Sequence, residues 1–60
     1  MYIIANGPLF LKDIGETNEL GQTNISMTMD ITKAMLFNSE KEATETNDKY
    51  DQIGKVKTAV

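Results

Sequence analysis

Sixty residues accommodate one domain and leave no room for a second. Nine carboxylates against six lysines leave a formal charge of −3, and cysteine and histidine are absent, which removes the disulfide staple and the usual zinc ligands. Arginine is absent as well, and without its bidentate contacts to phosphate and base edges, sequence-specific reading of nucleic acid is disfavoured.

In so short a chain the apolar area buried on folding roughly cancels an ordering cost of about 1.5 kcal/mol per residue. With no covalent or metal staple, self-association is the expected source of further stability, and a homodimer is the expected state. The cysteine-free composition fits a reducing cytoplasm. The opening residues lack the basic and long apolar regions of an export leader. The longest apolar runs, Met1 to Ala5 and Ala34 to Phe37, are too short to span a bilayer. A cytoplasmic protein without membrane contact is therefore expected.

Along the chain, Tyr2 to Ala5 is β-branched and aromatic, Asn6-Gly7 signals a turn, and Leu9-Phe10-Leu11 follows, which predicts a β-hairpin. Pro8 has no N–H to close a two-residue turn at Asn6-Gly7, so a looser connection is expected, with Pro8 starting the second strand. From Lys12 to Asn24 the residues are mostly polar, with Gly15, Gly21 and three acids, and Ile14 and Leu20 are the only large apolar members. This segment reads as an acidic loop, either a solvated connector or a functional one.

Ile25, Met27 and Met29 alternate with Ser26, Thr28 and Asp30 in the period of a half-buried strand. Asp30 is a good N-cap for one helical turn through Ile31 to Ala34, with Met29 and Ala34 at the positions of a hydrophobic staple, and Phe37 is expected inside. Ser39 and Glu42 have the spacing of a capping box, which predicts a helix from Ser39 to Asp51 with Ala43, Thr46 or Asn47, and Tyr50 turned inward. Gly54 suits the stop, and Lys55 to Val60 alternates as a last strand. The fold class is α+β: a small antiparallel sheet of three to four strands with one main helix on one face, in a single domain over residues 1–60.

No catalytic constellation can be assembled. The chain lacks histidine and cysteine to activate or act as a nucleophile, and its glycines form no phosphate-binding loop, so neither an enzyme nor a cofactor site is expected. Glu42 with Glu45 and Asp48 with Asp51 are spaced to share a helix face, where a solvated surface is the simpler reading than a cation site. Met27, Met29 and Met35 read as core filler, or alternatively as an adaptable binding face. Lys12, Lys55 and Lys57 form a candidate basic stripe that either tracks a nucleic-acid backbone or guards a strand edge.

The start Tyr2-Ile3-Ile4-Ala5-Asn6-Gly7 with Leu9-Phe10-Leu11, then Asp30-Ile31-Thr32-Lys33-Ala34, Phe37 to Ala43 and a lysine- and valine-bearing last strand together resemble a diffuse group of very short phage and prophage accessory proteins. The resemblance covers most of the chain outside the acidic loop. It implies a small accessory protein of the kind that includes inhibitors of host defences, anti-CRISPR proteins among them, while some compact sheet-and-helix members of that group instead resemble single-strand DNA-binding domains.

The leading expectation is a protein that binds and inhibits a host protein, such as a CRISPR-type or other defence nuclease. Acidic surface at Asp13, Glu16, Glu19, Glu45 and Asp48 would meet a basic, nucleic-acid-handling partner. The alternative is nucleic-acid binding through Lys12, Lys55 and Lys57, and a purely structural or assembly role is a third reading.

Overall fold

A computed structural model describes residues 1–59; Val60, expected to share a face with Val56 and Thr58, lies outside the described residues. The chain forms β1 (Tyr2–Asn6), β2 (Leu9–Thr17), β3 (Thr23–Thr28), a 3-10 turn (Ile31–Lys33), α1 (Glu40–Lys49) and β4 (Lys55–Thr58). The four strands pair antiparallel in the order β3-β2-β1-β4, and α1 packs against β1 and β4, giving an α+β fold. None of the described helices is long and apolar enough to cross a membrane.

The first hairpin is tighter than its sequence suggests. Asn6 pairs with Leu9, so the two turn residues are Gly7 and Pro8, and β2 starts only at Leu9. Moving the turn by one residue resolves the proline problem: Leu9 supplies the N–H that Pro8 cannot. Gly7 takes the positive φ of 60° that a turn with glycine at its first central position requires.

β2 runs well into the segment expected to be a loop. Leu11 pairs with Met27, Asp13 with Ser26, Ile14 with Ile25 and Thr17 with Thr23. Lys12 and Asp13 thus oppose one residue, Ser26, and Gly15 and Glu16 oppose one residue, Asn24; each is a β-bulge. The bulges let Leu11 and Ile14, three positions apart, both reach the core.

The core is built on the helix side of the sheet from Ile4, Leu11, Phe37 and Ala43, with Tyr2, Ile14, Ile25, Met27, Met35, Ile53 and Val56 packed around them. β1 and β2 pair through only two residues each before the stretch from Met35 to Phe37 takes over their backbone groups. Met35 N–H donates to the Leu11 carbonyl at 2.8 Å, and Tyr2 and Phe37 exchange two bonds of 2.9 Å. Phe37 is thereby held beneath Ala43, and the expectation that it is internal is met.

Both helical caps form. Asp30 accepts from the Thr32 N–H at 3.0 Å and from the Thr32 hydroxyl at 2.6 Å, bonds that hold its carboxyl below the usual carboxylate range. Met29, however, is 75% exposed and closes no staple on the buried Ala34. Ser39 accepts from the Glu42 N–H at 3.1 Å, and Glu40 and Glu42 sit in the first turn of α1 with Lys49 in the last, as the helix dipole favours. Ala43 and Asn47 are the buried residues of this helix.

α1 stops earlier than Asp51, and Gly54 is not what stops it. Asp51 and Gln52 take left-handed φ values of 60° and 55°, an unfavourable conformation for non-glycine residues. Gln52 N–H is held by the Asn47 carbonyl at 2.7 Å. The Asn47 side chain, buried at the helix end, donates to the Gly54 carbonyl and accepts from the Gly54 N–H, both at 3.0 Å. This clamp aims the chain from the helix into β4. Asn47→Ala leaves both Gly54 groups unpaired and is expected to cost about 2 kcal/mol. Urea denaturation curves that coincide for Asn47→Ala and the parent would refute that role.

Candidate protein-binding site

β2 and β3 continue past the end of β1 as a two-stranded arm, from Asp13 and Ser26 to the turn between Thr17 and Thr23. Asn18 organises the tip. Its side-chain oxygen accepts from the N–H groups of Leu20 and Gln22, each at 2.9 Å, and its side-chain amide donates to the Gln22 side chain at 3.1 Å. Its own N–H donates to the Gln22 carbonyl at 2.8 Å and its carbonyl accepts from Gly21 at 3.1 Å. Below the tip, the hydroxyls of Thr17 and Thr23 lie 2.8 Å apart across the arm.

This network shapes a turn that presents Leu20 at 82% exposure, the most exposed of the large apolar side chains among the described residues. Glu19 precedes it, Glu16 stands on the second bulge beside Asn18, Gln22 and Asn24, and Asp13 stands on the first bulge. Asp13, Glu16 and Glu19 are all exposed, so the arm carries three carboxylates along one strand and its turn. On the helix side, Thr17, Gly21, Thr23 and Ile25 face Lys49, Tyr50 and Asp51 across a shallow cleft. The Lys49 ammonium lies 5.4 Å from the Tyr50 ring centre.

The five acids singled out from the sequence do not form one patch. Asp13, Glu16 and Glu19 belong to the arm, whereas Glu45 and Asp48 lie exposed on α1, on the side turned away from the buried Ala43 and Asn47. Of the acid pairs, Glu42 and Glu45 are both helical, while Asp51 lies beyond the helix in the left-handed conformation. Compared with known proteins, the chain matches no family, no curated protein and no solved structure.

The lysines are arranged differently. Lys55 pairs with Ala5 and Lys57 with Ile3 on the sheet face opposite the helix, and Phe10, paired with Ala5, lies on that same face. Lys12, two residues beyond Phe10, begins the first bulge. Ile3 and Ala5, on this face, are only 2% and 4% exposed. The sequence pattern anticipated the shared strand face of Lys55 and Lys57. It did not anticipate the exposed Leu20 at an ordered turn, for which the Asn18 to Gly21 spacing was the available signal.

Proposed function

We propose that this protein is a binding module that engages a basic host protein through the acidic β2–β3 arm, in the manner of a small phage accessory protein that blocks its target. The observation that carries the reading is the preorganised tip: an exposed Leu20 held by the Asn18 network and flanked by Glu16 and Glu19. An apolar anchor on a turn already ordered before binding loses little conformational entropy on association. The surrounding carboxylates steer encounter with a positively charged partner, such as a nucleic-acid-handling enzyme.

Two sets of substitutions test this with a partner recovered from the natural host. Leu20→Ala is expected to weaken binding about 30-fold, as loss of a strong anchor does. Asp13→Asn, Glu16→Gln and Glu19→Gln together are expected to slow association about tenfold at low salt and less at high salt. Unchanged binding by both variants, each melting as the parent does, would end the proposal.

The gathering of Lys12, Lys55 and Lys57 around Phe10 favours a second reading, in which the open sheet face binds single-stranded nucleic acid by charge and stacking. Binding of an oligonucleotide that weakens steeply with salt and is lost in Lys55→Ala, Lys57→Ala would put this reading first.

A further inference from the structure

β3 and β4 are the two edges of the sheet, and they are built differently. β4 carries Lys55 and Lys57, the kind of residue that discourages strand addition. β3 carries no charge, no proline and no bulge of its own, and from Leu20 to Met29 the chain has no charged residue. Every second N–H and C=O along an edge strand faces away from its neighbour, and those of β3 have no partner strand among the described residues. On the helix side of the same strand, Ile25 and Met27 are only half-buried and Met29, just beyond it, is 75% exposed, because α1 lies over β1 and β4 instead.

We infer that β3 is a dimerisation edge, joined antiparallel to β3 of a second copy about a two-fold axis at Ser26. The strand is self-complementary in that register. Ser26 meets its own equivalent and Asn24 meets Thr28 on the open face, Ile25 meets Met27 on the helix side, and Thr23 lies beside Met29 at each end. Asp30 of one copy comes level with Gln22 of the other, so two chains of formal charge −3 meet with no like charges opposed. The contact is isologous and closes on itself, producing one eight-stranded sheet. It also brings Ile25 and Met27 of both copies together, enlarging a core that a chain of this length can barely fill. The inference does not rest on the proposed function. It leaves the two arm tips pointing in opposite directions, with the Thr23 positions at their bases about 20 Å apart at the usual rise per strand residue.

The chain has no cysteine, so a single introduced one can form a disulfide only between copies. Ser26→Cys, an exposed position on the proposed axis, is expected to oxidise to a covalent pair, while Lys57→Cys on β4 is expected to remain largely uncrosslinked. In sedimentation the parent is expected at twice the chain mass and Ser26→Lys at the mass of one chain. The parent's melting temperature should rise with protein concentration, and that of Ser26→Lys should not. A parent that sediments as one chain up to about 0.1 mM, where mass action favours association, would overturn the inference. So would preferential crosslinking of Lys57→Cys.

Discussion

Phe37→Ala is expected to leave the chain largely unfolded at room temperature. Phe37 is the largest side chain in the buried cluster with Ile4, Leu11 and Ala43, and it joins the helix to the two central strands. Truncating a buried phenylalanine costs about 3–5 kcal/mol, through lost transfer energy and the cavity left behind. A chain of this length has a total stability of roughly 3–9 kcal/mol at the usual value per residue. The cavity could not collapse easily, because Phe37 is fixed by two backbone bonds to Tyr2 while Met35 is tied to Leu11. Thermal unfolding checks the prediction: a Phe37→Ala variant melting within a few degrees of the parent would show that this cluster is not the core on which the fold depends.

Gly54→Ala is expected to be nearly as damaging, for a different reason. A Cβ at residue 54 would stand 2.6 Å from the Ala5 carbonyl carbon and 3.1 Å from the Asn6 nitrogen, with the Ala5 carbonyl oxygen nearer still. The obstacle is main chain in β1, which no rotamer change can move. Relief requires shifting the start of β4, and that breaks the Asn47 clamp and the ladder from Ala5–Lys55 to Tyr2–Thr58. Overpacking usually costs about 1–3 kcal/mol, and a main-chain clash belongs at or above the top of that range. Gly7→Ala is the informative comparison. No atom beyond its two chain neighbours lies within 4 Å of its Cβ position, so only the left-handed φ is penalised, at about 1–2 kcal/mol. Equal urea midpoints for the two alanine variants would refute the close approach of β4 to β1 at Gly54.

The residues made much of this fold readable before any coordinates. Local signals act over a few positions, and several were met: the presence of a hairpin after Tyr2 to Ala5, the Asp30 and Ser39 caps, the inward Ala43 and the strand at Lys55, though the Met29–Ala34 staple and the looser turn at Pro8 were not. The middle of the chain was not readable in the same way. Two bulges set the helix-side residues of β2 at Leu11, Ile14 and the exposed Thr17, a spacing of three that breaks the two-residue period by which a strand is recognised. With polar residues and a glycine between them, a nine-residue strand read as a loop. The helix end misled similarly, since Gly54 serves a contact with β1 while the left-handed turn falls to Asp51 and Gln52.

The same division holds for the candidate surfaces. The sequence by itself determined the net acidity, the absence of histidine, cysteine and arginine, the caps and the α+β class, because these follow from composition and short-range pattern. Only the tertiary structure decided which charges share a surface. Strand pairing set Asp13, Glu16 and Glu19 along one arm, left Glu45 and Asp48 on the helix, and gathered Lys55 and Lys57 with Phe10 on the open face. It also made β3 an uncharged edge, since strand order depends on which distant segments pair, and no local pattern in β3 encodes that its outer side is free.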